Sequence, residues 1–154
     1  MTTVPRSRSE APTAIAPVGR RLGAGLRVIA ALVGIGFLVQ GAVWLVAPQR
    51  AATGLGMPLL DGLGRSTQIG DSAALFLTLG ATMLVGLRSG GRHWLYVPAG
   101  MLACAAASRT LAWALQGAAF AAAFIAVEVG VALLLVAIAQ QAGRPSSAGP
   151  VGER

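Results

Sequence analysis

Four long apolar runs alternate with short polar or Gly/Pro-rich segments along this chain. The first, at 28–47, reads VIAALVGIGFLVQGAVWLVA, and the last, at 118–139, reads AAFAAAFIAVEVGVALLLVAIA. Each is about 20 residues, the length that carries an α-helix across a hydrocarbon core of about 30 Å. These two runs are apolar on every side rather than along one stripe, the pattern of a helix with no face toward water. The second run, 69–87, and the third, 94–115, hold more small and polar residues. The pattern predicts an all-α fold, a membrane four-helix bundle with spans at about 28–47, 69–87, 94–115 and 118–139. The first run exceeds the roughly 7–15 apolar residues of a secretory signal, so it reads as a retained span.

The segments between the runs set the organisation. Residues 1–25 are rich in Pro, Ser, Thr and Arg with no apolar period and predict a disordered basic tail; 141–154 predicts a second tail, and 26–140 the four-helix transmembrane domain. Pro48 stops the first helix. Residues 51–69 mix glycines with leucines and read as a loop that lays apolar side chains on the end of the bundle. The GLGRST string within it lacks the Lys and the preceding strand of a phosphate-binding loop. Asp71 then falls near the start of the second span, where it is placed to cap the helix. Arg88 to His93 form a short turn, and Gln116-Gly117 a tight one, which makes the third and fourth spans antiparallel neighbours. Gly34, Gly36 and Gly41 allow close helix approach in a membrane. Trp44 falls at an expected interfacial belt.

Composition agrees with a membrane class. The chain is 55% hydrophobic and 11% charged with a mean hydropathy of +0.71, where a soluble domain carries about 25% charged residues. The net charge of +7 comes from 12 basic residues, all of them Arg. Nine flank one side of the predicted spans (Arg6, Arg8, Arg20, Arg21, Arg27, Arg88, Arg92, Arg144, Arg154), and three (Arg50, Arg65, Arg109) fall on the other. That bias follows the positive-inside rule and predicts a multi-pass protein of the cell inner membrane with both termini cytoplasmic. Topology thus accounts for the basic balance without nucleic acid as a partner.

The candidate chemistry is intramembrane. Glu128 sits at the middle of the fourth run, where insertion scales charge roughly 2.5–3.5 kcal/mol for an ionised side chain. Measured from the outer boundary at 1.5 Å per residue, Glu128 lies about 15 Å deep, Arg109 about 9 Å, Gln40 about 10 Å, Thr78 about 13 Å and Asp71 about 3 Å. The expectation is one polar layer of Gln40, Asp71, Thr78, Arg109 and Glu128, with Arg109 and Glu128 paired. Cys104 is the single cysteine and reads as a small core residue; His93 reads as a loop residue. Neither has metal-ligand company, so no cofactor, metal or catalytic residue is assigned.

Four short spans, the Gly56-Met57-Pro58 segment, the Gly70-Asp71 entry to span two, Arg109 and Glu128 together resemble the DoxX-like group of small bacterial membrane proteins. The resemblance covers about 26–140 and implies a four-helix bundle. Some members of that group are named as quinone-linked oxidoreductase subunits, and no cofactor-binding residue matches here. The residues favour a non-enzymatic accessory or scaffold protein. A lipid-, quinone- or small-molecule-binding protein is the alternative, and an oligomeric proton-coupled transporter the third reading. The partners expected are the lipid bilayer and a second copy or another membrane protein. Ala118, Ala122, Ala126 and Gly130 recur every four residues and predict a self-association ridge facing away from Glu128.

Overall fold

The computed structural model describes residues 18–88 and 91–141, and the tails expected beyond them lie outside the described residues. Four long helices and one short one follow in order: α1 (Val18–Val46), α2 (Pro48–Gly54), α3 (Gly62–Gly86), α4 (Tyr96–Gln116) and α5 (Ala122–Gln141), with a 3-10 turn at Arg92–Leu95 leading into α4. No strand occurs among the described residues. Three helices are long and apolar enough to cross a membrane: the Gly23–Val46 part of α1, α3 and α5. Helix α4 has 21 residues, a comparable length, and carries Ser108, Arg109 and Thr110 in its second half.

Several boundaries differ from the sequence pattern, each for a physical reason. Helix α1 begins at Val18, inside the segment expected to be tail. Leu26, just past that segment, packs on the main core. Helix α3 begins at Gly62 rather than 69. Its polar first turns are helical because their side chains hold the preceding loop. Gln68 accepts from the Leu60 N–H through Oε1 at 2.9 Å and donates to the Pro58 carbonyl at 3.1 Å. Arg65 donates to the Leu60 carbonyl and to Asp61 Oδ1, both at 2.9 Å. The third and fourth runs are joined by five residues, 117–121, not by a two-residue turn. Gly117 closes α4 in the left-handed region at φ 67°, and the Ala118 N–H returns to the Ala112 carbonyl at 3.3 Å. Trp113 and Phe120 pack across this connection with tilted rings, their centroids 5.1 Å apart.

Two antiparallel hairpins result. Helix α1 runs along α3 and α4 along α5, each over most of its length, while contacts between the two hairpins are sparser. Glycines set the closeness of the first pair. A Cβ on Gly80 would lie 2.5 Å from the Gly34 carbonyl oxygen and 2.9 Å from the Leu38 nitrogen, so α1 and α3 meet backbone to backbone.

The hairpins meet at one end and part at the other. At the packed end, beside the 3-10 turn, Met83, Leu95, Leu102, Leu135 and Ile138 form the main core with Ala30 and Ala139. At the open end a second cluster belongs to the first hairpin alone. There Pro48 starts α2, which lays Ala51 and Ala52 on Trp44, with Ala73 behind them. Trp44 is fully buried in this cluster rather than standing in an interfacial belt. The small alanines let α2 close over the indole, which is left without an acceptor for its Nε1–H. Across the gap, Leu111, Trp113, Leu115 and Phe120 of the second hairpin remain exposed. Cys104 is exposed on α4 and is not a core residue. Ala122, Ala126 and Gly130 are exposed along α5; Ala118 precedes the helix.

The glycine contact yields the first prediction. Gly80→Ala should destabilise the protein by about 1–3 kcal/mol, the usual cost of overpacking. Gly100→Ala, whose added Cβ meets nothing within 4 Å, should be neutral or stabilising. Reversible unfolding in mixed micelles measures both; equal effects would refute the backbone contact between α1 and α3.

Candidate functional site

The gap between the hairpins is a cavity of about 520 Å³. Each long helix contributes one face to it at helical spacing. Val33, Gly36, Phe37 and Gln40 line it from α1, and Phe124, Val127, Glu128 and Val131 from α5. Both sets run i, i+3, i+4, i+7, the repeat of a single helical face. Met101, Leu102, Ala105 and Arg109 follow from α4, and Leu75, Phe76 and Leu79 from α3. Phe37 and Phe76 touch at 5.9 Å between ring centroids and form the wall on the first hairpin. The wall is almost wholly apolar, broken by Gln40, Arg109 and Glu128.

Arg109 and Glu128 form the one polar centre of the second hairpin. Arg109 Nε donates to Glu128 Oε1 at 2.8 Å. Phe124 precedes Glu128 by one turn on the same face of α5, and its ring sits 4.9 Å from the Arg109 guanidinium carbon. One guanidinium is thus held by a carboxylate and an aromatic face from a single helix, two attractions that favour the same Arg rotamer. Burial is unequal: the Glu128 side chain is 11% exposed and that of Arg109 42%. Arg109 is thus the more accessible member of the pair and Glu128 the more buried one.

The pair is single-bonded. Glu128 Oε2 is buried and has no hydrogen-bond partner. A buried acceptor left unmade costs about 1–3 kcal/mol, and more when it carries charge. Glu128 lines the cavity, while this oxygen lies behind its surface with almost no area of its own exposed.

Of the five residues expected in one polar layer, the structure brings three to this cavity: Gln40, Arg109 and Glu128. Asp71 and Thr78 are exposed on α3 and do not line it. Because α3 starts seven residues early, Asp71 is not at its start and does not cap it; the position before the helix is Asp61, whose side chain caps nothing and pairs with Arg65. Thr82 bonds back to the Thr78 carbonyl at 2.6 Å, which satisfies its hydroxyl within its own helix. The apolar lining residues were not legible as site residues. In an all-apolar helix a cavity face and a lipid face carry the same residue types, and only the i, i+3, i+4, i+7 sets flanking Gln40 and Glu128 hint at them. No group of His, Cys, Asp or Glu fit to hold a metal occurs among the described residues.

No known protein family, curated protein or solved structure matches this chain.

The geometry predicts asymmetric mutant effects. Arg109→Leu strands both oxygens of a buried carboxylate. Its cost should approach, from below, the roughly 3–5 kcal/mol of a buried pair broken from one side. Glu128→Leu leaves a half-exposed guanidinium free to reach outward, and should cost less. A double-mutant cycle should return a coupling of about 0.5–3 kcal/mol. Equal single effects would contradict the unequal burial, and a cycle without coupling would contradict the pairing.

Proposed function

We propose that this chain is a four-span protein of the cell inner membrane, with both termini cytoplasmic, that binds an apolar small molecule between its two helix hairpins. The observation that carries the binding reading is the cavity, about 520 Å³ of nearly apolar space with a few polar groups on its wall. Small-molecule sites have this character: roughly 300–1,000 Å³, apolar walls and a few polar groups that orient the ligand. A scaffold held together by its polar pair would have no use for such a gap, since native interiors are close-packed.

The fourth span in this reading is α4. It is as long as α5 and runs along it, and Glu128 offsets the charge of Arg109, which weighs most against its crossing. The orientation rests on the arginines: Arg88 and Arg92 lie at the packed end, and Arg50 and Arg65 at the open end. The packed end is then cytoplasmic and the cavity opens toward the outer leaflet. The DoxX-like resemblance, with its Arg109 and Glu128, agrees with four spans and is part of the same proposal.

Photolabelling tests the binding reading. The protein in phosphatidylcholine nanodiscs is irradiated with a dodecane carrying a diazirine, and adducts are mapped by mass spectrometry. Labelling of Met101, Ala105 and Val127 should saturate, while labelling of lipid-facing Leu32 and Val39 should rise with probe concentration. Gly36→Leu, whose added side chain enters open space in the cavity, should lower the saturable labelling several-fold and leave the rest. Labelling of the cavity residues that is non-saturable, or unchanged in Gly36→Leu, would overturn the reading.

A further inference from the structure

The cavity has a rim. On α1, Gly36 lines it together with Val33, Phe37 and Gln40. At 100° per residue Gly36 lies about 40° around the helix from Gln40 on one side and about 40° from Leu32 on the other. Gln40 lines the cavity, whereas Leu32 is 63% exposed on the outer face. On α5, Val127 stands in the same relation to Val131, which is buried and lines the cavity, and to Ala123, which is exposed. Gly36 and Val127 each belong to the cavity wall and to the outer surface at once.

Both rim residues border one seam. Helix α1 is closed on its opposite flank by α3, through Gly34 and Gly41, and α5 is closed by α4, through the Arg109–Glu128 pair. What lies between Gly36 and Val127 is the seam between α1 and α5. These two helices meet at the packed end, where a Cβ on Gly23 would lie 3.2 Å from Gln141 Oε1. A Cβ on Gly36 would meet nothing within 4 Å. In a four-span protein such a seam looks into acyl chains rather than water.

The wall suits hydrocarbon. Glu128 Oε1 is taken by Arg109 at 2.8 Å, and Oε2 lies behind the cavity surface. The pair therefore offers no unmatched charge to an occupant. Empty apolar space forfeits the dispersion contacts of close packing. A flexible chain restores them and brings no polar group that must be placed.

We propose that the occupant of this cavity is one acyl chain of a bilayer phospholipid, which enters sideways through the α1–α5 seam at Gly36 and Val127 while its head group stays at the membrane surface. This rests on the binding reading above and specifies its ligand and its route. Recognition is of the chain, so the head group is not selected.

A tethered probe tests it. Phosphatidylcholine with a diazirine at the end of one palmitoyl chain is doped into the same nanodiscs. Adducts should form on cavity-lining Phe37 and Phe76 as well as on lipid-facing Leu32 and Val39. Unlabelled dodecane should lower labelling of the two phenylalanines several-fold and leave that of Leu32 and Val39. Phosphatidylglycerol bearing the same chain should label the phenylalanines to the same extent. Gly36→Leu, which fills the rim, should lower their labelling several-fold. The wild-type result needs no variant to fold, so it decides by itself. Phe37 and Phe76 left unlabelled by the tethered chain, while the free dodecane probe still labels the cavity saturably, would overturn the lateral route and leave the binding reading standing. Failure of both probes would take down the two together. Phosphatidylglycerol labelling several-fold above phosphatidylcholine would overturn recognition by the chain alone, because Arg109 would then be selecting an anion. Unchanged labelling in a folded Gly36→Leu protein would overturn the seam as the entrance.

Discussion

One carboxylate in an otherwise apolar helix constrains this molecule. Glu128 cannot face lipid without a cost of roughly 2.5–3.5 kcal/mol, and Arg109 of the neighbouring helix is its partner. Placed against each other at 2.8 Å, they set the rotation of α4 and α5 about their axes. Phe124 follows from that rotation, since a residue one turn before Glu128 shares its face and meets the same guanidinium. Ion pairs of this kind contribute little net stability after desolvation; what the pair supplies is the register of the second hairpin.

The two hairpins are held by different means. Small residues bring α1 and α3 into backbone contact, with Gly34 and Gly80 facing each other. Dispersion between closely packed atoms is the main attraction available where lipid is as apolar as the helix. Leu135, Met83 and Leu95 extend that packing across to the second hairpin at one end. At the other end α4 offers the small Ala105 to the gap, a side chain too short to fill it. Hence the space between the hairpins remains, and the ion pair stands on its wall rather than inside a core.

The unsatisfied polar atoms fall where packing is least complete in kind. Trp44 Nε1 and Glu128 Oε2 are the buried side-chain atoms without partners among the described residues. The indole lies under α2 in a cluster of alanines that offers no acceptor, and its burial is secured by apolar area. The carboxylate differs, because its other oxygen is held by Arg109 and its residue lines the gap between the hairpins.

The sequence by itself determined the class. Length and apolarity mark α1, α3 and α5 as membrane-crossing helices, since a bilayer demands about 20 residues without charge whatever they pack against. It also determined the Arg109–Glu128 contact, because two costly charges on helices joined by a short connection have few other places to go. Helix ends were less legible. The first turns of α3 look like loop by composition, and are helix because Arg65 and Gln68 bond to backbone groups of residues 58–60. Asp71 and Thr78 matched the depth of the other polar residues, but depth along a helix does not give its rotation, and α3 turns both outward. Only the tertiary structure decided the cavity. Whether an apolar face meets lipid, another helix or empty space depends on how far apart the hairpins stand, and leucine, valine and phenylalanine suit all three.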